Sequence, residues 1–337
     1  MLILVGALDW GLGHATRVVP VIHKLLNEGH HVIIGASHRQ AMIYNEHFPA
    51  VQMEELPAVS PTFRKGQNQV ASILFFLPRF LISIKKDKLI ARKLVAKYKP
   101  DQIISDNRYG FRNKDTHNII ISHQVNLQVP KRVKIFRKFI QASIHRFLNR
   151  FDECYIPDFE DEDNLSGILS HSLPKLNCKI TYTGLLSRLQ IVQEDETTKK
   201  FPQLLVIISG PEQQRTFFEN IIRQELVKTG NVPDYVVVRG LPGQDSTGNE
   251  HWLNHANAST LKAFIRNAKY IVCRSGYSTI MDLAVMGKTA MLVPTPGQTE
   301  QEYLAGYLQD KGKFLYSEQK HFNLRECLAR LDNFILT

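Results

Sequence analysis

From Tyr270 to Pro294 the chain reads Tyr-Ile-Val-Cys-Arg-Ser-Gly-Tyr-Ser-Thr-Ile-Met-Asp-Leu-Ala-Val-Met-Gly-Lys-Thr-Ala-Met-Leu-Val-Pro, an order that few folds accommodate. Tyr270 to Val272 is aromatic and β-branched, the composition of a buried strand. The glycine turn then opens a helix whose first turn carries Ser278 and Thr279, both able to satisfy orphan amides. Gly287 suits the helix's C-terminal stop, and Ala290 to Val293 reads as a second strand. Strand, polar turn, helix and strand in that order present free helix amides to an anion. Asp282 on that helix could accept hydrogen bonds from both hydroxyls of a ribose. The alternative is an ordinary βαβ unit with Asp282 solvated, and the stretch alone leaves both open.

The rest of the chain supplies context. At 337 residues it has room for two domains with their own cores. Cys154, Cys178, Cys273 and Cys327 are scattered, without a Cys-x-x-Cys pair, so neither a disulfide framework nor a metal site is expected. Met1 to Gly6 enters a strand without a basic n-region or cleavage site, and a cytoplasmic location follows as the expectation. The net charge of +10 is uneven. Residues 1–150 hold 23 Lys/Arg against 9 Asp/Glu, and residues 151–337 hold 19 against 23. The first half therefore suits an anionic partner.

In the first half, Leu2–Val5 reads as a strand, Pro20–Glu28 as a helix and His31–Ile34 as a second strand. Gly11-Leu12-Gly13-His14-Ala15-Thr16-Arg17 fills the first loop, but Thr16 occupies the third glycine of a dinucleotide fingerprint. No acid follows the second strand, which argues against a nicotinamide enzyme. What the loop offers is close backbone approach at Gly11 and Gly13, with His14 as a candidate general base. Arg17 could meet a phosphate or be solvated. Lys99–Asp106 and Ile119–Ser122 read as strands, and Asp106 would share the carboxyl edge of the sheet with His14. A carboxylate there would fix the histidine tautomer, or merely cap the following turn.

Two segments, 64–86 and 131–138, mix apolar or aromatic residues with Lys and Arg. Val70–Ile84 is too short, and too interrupted by Pro78-Arg79, to span a bilayer. It reads as an interfacial segment on an anionic membrane, or as buried helices with basic ends. No RNA or DNA module pattern is present, which argues against nucleic acid. In the second half, Leu204–Ile208 starts a second βα series with Ser209-Gly210-Pro211 in its turn.

The organising stretch resembles the nucleotide-sugar signature of glycosyltransferase family 28, the MurG-like transferases. The shared pattern is an Arg-Ser-Gly turn, a Thr and an acid on the next helix, a Gly-Lys turn and a strand ending in Val-Pro. The resemblance implies the GT-B architecture, two Rossmann-like α/β domains facing one cleft. It would place an acceptor-binding domain over 1–188 and a donor-binding domain over 200–320. A terminal helix over 321–337 often crosses back to the first domain in this architecture. It puts Asp282 at the ribose, where the family usually has Glu. Gln301 and Glu302 take the place of a Gln-Gln pair near the donor sugar, and Ala305 stands where the family has Asn. Ser209 and Gly210, unless they form an ordinary turn, would stabilise the diphosphate with Arg274 and the helix N-termini; Ser275, Gly276, Ser278 and Thr279 would belong to the donor site, and a residue near Ala258 would read the base through its backbone. Gly-His-Ala-Thr-Arg is similar to the family's first loop, with His14 and Asp106 as base and orienting acid.

The implied reaction is metal-independent, inverting transfer of a sugar from a nucleotide donor, UDP by preference, to an acceptor hydroxyl. No cofactor is implied beyond that donor substrate. The acceptor could be lipid-linked, with the protein peripheral on the inner face of the cytoplasmic membrane. The rivals are a nucleotide-sugar hydrolase or 2-epimerase on the same scaffold, and a non-catalytic nucleotide-sugar or membrane binder.

Overall fold

The computed structural model describes residues 1–57, 69–129, 137–171, 173, 176–193, 201–210, 212–243 and 249–335, the side chains of 69–79 excepted. The chain forms two compact units that divide between Leu186 and Ser187. The first holds strands β1 (Leu2–Ala7), β2 (His31–Ala36), β3 (Met53–Glu55), β4 (Gln102–Asp106), β5 (His117–Ile121), β6 (Glu153–Ile156) and β7 (Lys179–Tyr182). They lie side by side as β3-β2-β1-β4-β5-β6-β7, every pair parallel. Helices α1 (Leu12–Asn27), α2 (His38–His47), α3 (Gln69–Tyr98) and α4 (Arg137–Leu148) make the crossovers.

The second unit repeats the plan with β8 (Leu204–Ile207), β9 (Tyr235–Val238), β10 (Trp252–Leu253), β11 (Tyr270–Cys273), β12 (Met291–Leu292) and β13 (Leu315–Tyr316). Their order is β10-β9-β8-β11-β12-β13, again all parallel. Helices α5 (Gln214–Thr229), α6 (Ala258–Asn267), α7 (Tyr277–Val285), α8 (Thr299–Asp310) and α9 (Leu324–Ile335) cover it. Parallel sheets of this kind are buried on both faces, so their strands are continuous apolar runs such as Ile3-Leu4-Val5 and Leu204-Leu205-Val206. In both sheets the order reverses beside the first strand, the switch point where such folds bind ligands. Both units are thus Rossmann-like and α/β.

Two elements differ from their sequence reading. Helix α1 begins at Leu12 rather than near Pro20, with Gly11 as its N-cap at φ 148° and Pro20 inside it. His14 and Arg17 therefore stand on the first turns of a helix, not on a loop. Helix α3 runs 30 residues, continuing through Pro78. Among the described residues, no helix is long and apolar enough to cross a membrane. Residues 64–68 and 131–136 of the two basic segments lie outside the description, as does Pro211. The last helix, α9, packs through Leu324, Cys327 and Leu331 into the core of its own unit beside Phe218 and Phe322.

Helix α3 is pinned to the first sheet by a buried ion pair. Arg108 Nη2 lies 2.5 Å from Asp87 Oδ1, and both side chains are at least 97% buried. Gly110 makes the close approach possible, since a Cβ there would sit 2.1 Å from the Ile84 carbonyl oxygen. Burial pushes the Asp87 carboxyl up, and Arg108 opposes that. Arg108→Met would strand a buried carboxylate, so a loss of about 3 kcal/mol in urea unfolding is expected at neutral pH. A loss below about 1 kcal/mol would mean that the pair does not hold α3.

Candidate functional site

In the first unit, the carboxyl ends of β1, β4 and β5 gather four polar side chains. His14 Nδ1 lies 2.7 Å from Asp106 Oδ1, across 92 residues of sequence. Arg17, 1% exposed, grips the same carboxylate with Nε to Oδ2 at 2.7 Å and Nη2 to Oδ1 at 2.5 Å. Its Nη1 donates to His123 Nδ1 at 2.8 Å. Burial alone would push the Asp106 carboxyl up, but Arg17 and His14 outweigh it and hold the carboxyl at about 2. An ionised carboxylate can only accept, so the proton of the His14–Asp106 bond belongs to Nδ1. The His14 Nε2 lone pair is left as the acceptor, the arrangement a general base needs.

Arg17 corrects one expectation. Its guanidinium is wholly buried and committed to protein partners, so it cannot meet a phosphate. Gly13 stays within the first turn of α1, its carbonyl accepting from Thr16 Oγ1 at 3.1 Å. His123 was visible in the sequence only as the residue after a strand, and nothing there signalled a partner for Arg17.

In the second unit, three turns at the carboxyl ends of β8, β11 and β12 are tied together. Gly276 is the N-cap of α7 and brings no side chain of its own to that helix end. Ser278, Thr279 and Asp282 fall on one face of α7 by their three- and four-residue spacing. Asp282 is half-buried and accepts from Ser187 Oγ at 2.5 Å. Burial pushes its carboxyl up to about 6, while Arg188 and the Ser187 hydrogen bond pull the other way. Helix α5 also lacks a side-chain cap, and its N-cap Gln213 sits at φ 72°. Ser209 and the exposed Gly210, at φ 108°, precede it, with the Glu212 carboxylate near the same end. Ala258 opens α6 and is 1% exposed, so only its backbone could face a ligand.

Several expected donor contacts are committed elsewhere. The Arg274 guanidinium is fully buried and donates to the carbonyls of Val293, Pro294 and Gln214 at 3.0–3.1 Å. It also lies over the Phe218 ring, and burial pushes it down to about 9. Arg274 therefore braces the three turns from beneath through Nη1 and Nη2, its Nε having no partner among the described residues, and its full burial keeps it from a diphosphate. The Ser275 hydroxyl is likewise buried, donating to the Gln301 carbonyl at 2.8 Å. Gln301 Oε1 accepts from Thr295 N at 2.8 Å, and Glu302 Oε1 from Gly297 N at 2.7 Å. Both side chains shape the 295–298 turn.

Arg188 was missed altogether. It is 5% exposed, acts on the Asp282 carboxylate, and has no partner for Nε or Nη1 among the described residues. A buried cation with open N–H groups beside an acid is a ligand contact in waiting. Its sequence signal was faint, a lone arginine shortly after a Thr-Gly turn. Among the described residues, no three His, Cys, Asp or Glu side chains converge as a metal-holding group.

Residues 198–336 match the glycosyltransferase family 28 C-terminal domain. An uncharacterised glycosyltransferase of Methanosarcina acetivorans is 24% identical over 321 residues, covering 90% of this chain and 82% of the relative. A Pasteurella multocida UDP-N-acetylglucosamine–N-acetylmuramyl-(pentapeptide) pyrophosphoryl-undecaprenol N-acetylglucosamine transferase is 23% identical, covering 96% and 86%. The crystal structure of Acinetobacter baumannii MurG shares the fold with a TM-score of 0.55 at 14% identity, covering 100% and 91%. That structure has the GT-B fold, the architecture that the sequence resemblance implied.

Proposed function

We propose that this chain, a MurG-like glycosyltransferase of family 28, moves a sugar from a UDP-linked donor to an acceptor hydroxyl with inversion at the anomeric carbon. The observation that carries the mechanism is the His14–Asp106 bond, which leaves Nε2 free to take the acceptor's proton. As that proton leaves, the acceptor oxygen attacks the anomeric carbon and the bond to the nucleoside diphosphate breaks. Asp106 orients the imidazole and balances the charge it gains. The N-terminal ends of α7 and α5, with Ser209 and Gly210, receive the departing diphosphate through the positive pole of each helix, so the reaction asks for no metal ion. Arg188 adds N–H donors, and Asp282 accepts from the ribose hydroxyls. The names of the curated relatives support UDP and a pyrophosphoryl-lipid acceptor.

A lipid-linked acceptor agrees with the outer face of α3. Leu81, Ile82 and Leu89 are 44–56% exposed there, among exposed Lys85, Lys86, Lys88, Arg92 and Lys93. Phe139, 71% exposed, follows exposed Arg137 and Lys138 on α4. Basic side chains around protruding apolar ones suit an anionic membrane surface, and the protein works as a peripheral enzyme on its cytoplasmic face.

Titration of UDP, GDP, TDP and CMP sugars tests the donor assignment. One UDP-sugar should bind and the others bind at least about tenfold more weakly, whereas no binding by any of them would sink this reading. The binding should also depend on pH through Asp282. Its carboxyl, raised to about 6, is protonated below that pH and cannot accept from two hydroxyls. Affinity is therefore expected to fall about tenfold between pH 7 and pH 5. Asp282→Asn should bind weakly and flatten that dependence. A wild-type affinity unchanged across this window would remove Asp282 from the donor site.

A further inference from the structure

We propose that Arg17 is a positioning residue for the base, holding Asp106 in the orientation and charge state that keep His14 ready to accept a proton. The inference rests on the reading of His14 as general base. Asp106 has two oxygens, and Arg17 reaches both with a bidentate fork while His14 shares one of them. All of Arg17 and Asp106 is at least 99% buried, so water does not compete for these bonds. A lone carboxylate buried beside an imidazole would draw a proton into the pair. Arg17 cancels that charge and leaves the carboxylate to act through geometry, as an acceptor aimed at Nδ1. Arg17 Nη2 also lies 2.9 Å from His14 Nδ1, so the positive charge the ring gains when Nε2 takes a proton faces the guanidinium.

The same arrangement explains why His123 is buried at this point. Arg17 can only donate, so His123 Nδ1 accepts and the ring is neutral where it meets the guanidinium. A second positive charge is thereby kept off Arg17. Among the described residues, Tyr44 on α2 and Tyr109 after β4 also lie within electrostatic reach of Asp106, and Asp9 after β1 and Arg108 after β4 lie beyond them, beside Tyr44. Burial pushes both tyrosine hydroxyls above their ordinary range, so neither supplies a charge near neutrality. Arg108 is already paired with Asp87. Arg17 is thus the counter-cation that Asp106 has.

Removing that cation should make the His14–Asp106 pair bind a proton at higher pH, whichever of the two holds it. The experiment is the pH profile of kcat/KM for nucleoside diphosphate release by wild type, Arg17→Gln and Arg17→Lys. Arg17→Gln keeps a donor to Asp106 but loses the charge, and its acid limb should move up by about one pH unit. At a pH on that limb, turnover would fall about tenfold beyond any loss at the plateau. Arg17→Lys keeps the charge and should hold the limb near its wild-type position, with a lower plateau from the lost second bond. Both variants losing plateau rate with the limb unmoved would leave Arg17 a scaffold residue and overturn the proposal.

A measurement on the wild-type protein stands even if Arg17→Gln does not fold. Nitrogen-detected NMR of the His14 ring should show the proton on Nδ1 in the resting enzyme. A proton on Nε2 would mean that Nδ1 accepts from Arg17, and the proposal would fail. His14→Ala separates the role of the base from that of Arg17. Unchanged turnover in that variant overturns the general-base reading, while an unmoved limb in Arg17→Gln overturns only the role of Arg17.

Discussion

His14→Ala is expected to lower kcat by about 100- to 10,000-fold while leaving donor affinity within about twofold. The residue is half-buried at the first turn of α1, with Nδ1 committed to Asp106. Truncation removes the proposed proton acceptor and nothing from the second unit, where the proposed nucleotide-binding groups lie. The Arg17–Asp106 pair survives it, so no large loss of stability should confuse the rate measurement. His14→Gln, which can still accept a hydrogen bond but cannot hold a proton, should be equally slow. A Gln variant with near wild-type turnover would show that His14 orients a substrate and does not deprotonate it. Nucleoside diphosphate release under saturating donor, with affinity from calorimetry, separates these cases.

Asp106→Asn should cost on the order of 1,000-fold in kcat and should also destabilise the fold. An Asn side chain can accept through one oxygen only, and its NH2 group would face either Arg17 or His14 donor to donor. The imidazole then loses the partner that fixes its tautomer, and Arg17 is left as a buried cation without a counter-charge. The stability cost is expected at about 3 kcal/mol by urea unfolding at neutral pH. The wild-type acid response follows from the same carboxylate. Because Arg17 and His14 overcome burial to hold it at about 2, below the unfolded range near 4, its stabilisation is complete above about pH 4. That contribution is lost as pH falls from 4 toward 2, and Asp106→Asn should lack this part of the acid transition. A variant as stable as wild type at pH 7, with the same acid midpoint, would contradict the account of this cluster.

The parts of this molecule legible in its sequence are those governed by local pattern. Fully apolar runs such as Leu204-Leu205-Val206-Ile207 announce parallel strands because both faces of such a sheet are covered. The His14 and Asp106 pairing could be anticipated because both residues end up at the carboxyl edge of adjacent strands β1 and β4. Arginines were harder. Beside its glycines Arg17 reads as open to a phosphate or to solvent, and Arg274 as a diphosphate contact, yet both point inward to carboxylate or carbonyl oxygens. Nothing local distinguishes an arginine that reaches solvent from one that braces a turn, since the choice depends on which oxygens tertiary packing leaves open. Arg188 shows the converse, a residue with no motif around it whose open N–H groups emerge only once burial removes water. The start of α1 was misplaced for a similar reason. Gly-x-Gly-His looks like loop composition, and the helix begins there because packing of Ala15, Val18, Val19 and Ile22 outweighs the glycine cost.

The most direct test of the whole account is nucleoside diphosphate release from the UDP-sugar that binds, with and without acceptor-bearing anionic vesicles, by wild type and His14→Ala in parallel. Release by the wild type should rise with acceptor, give a product of inverted anomeric configuration, and fall at least about 100-fold in His14→Ala. Release that proceeds equally without acceptor and yields free sugar would make the protein a hydrolase. Release that is indifferent to His14 would contradict the mechanism assigned to the first unit.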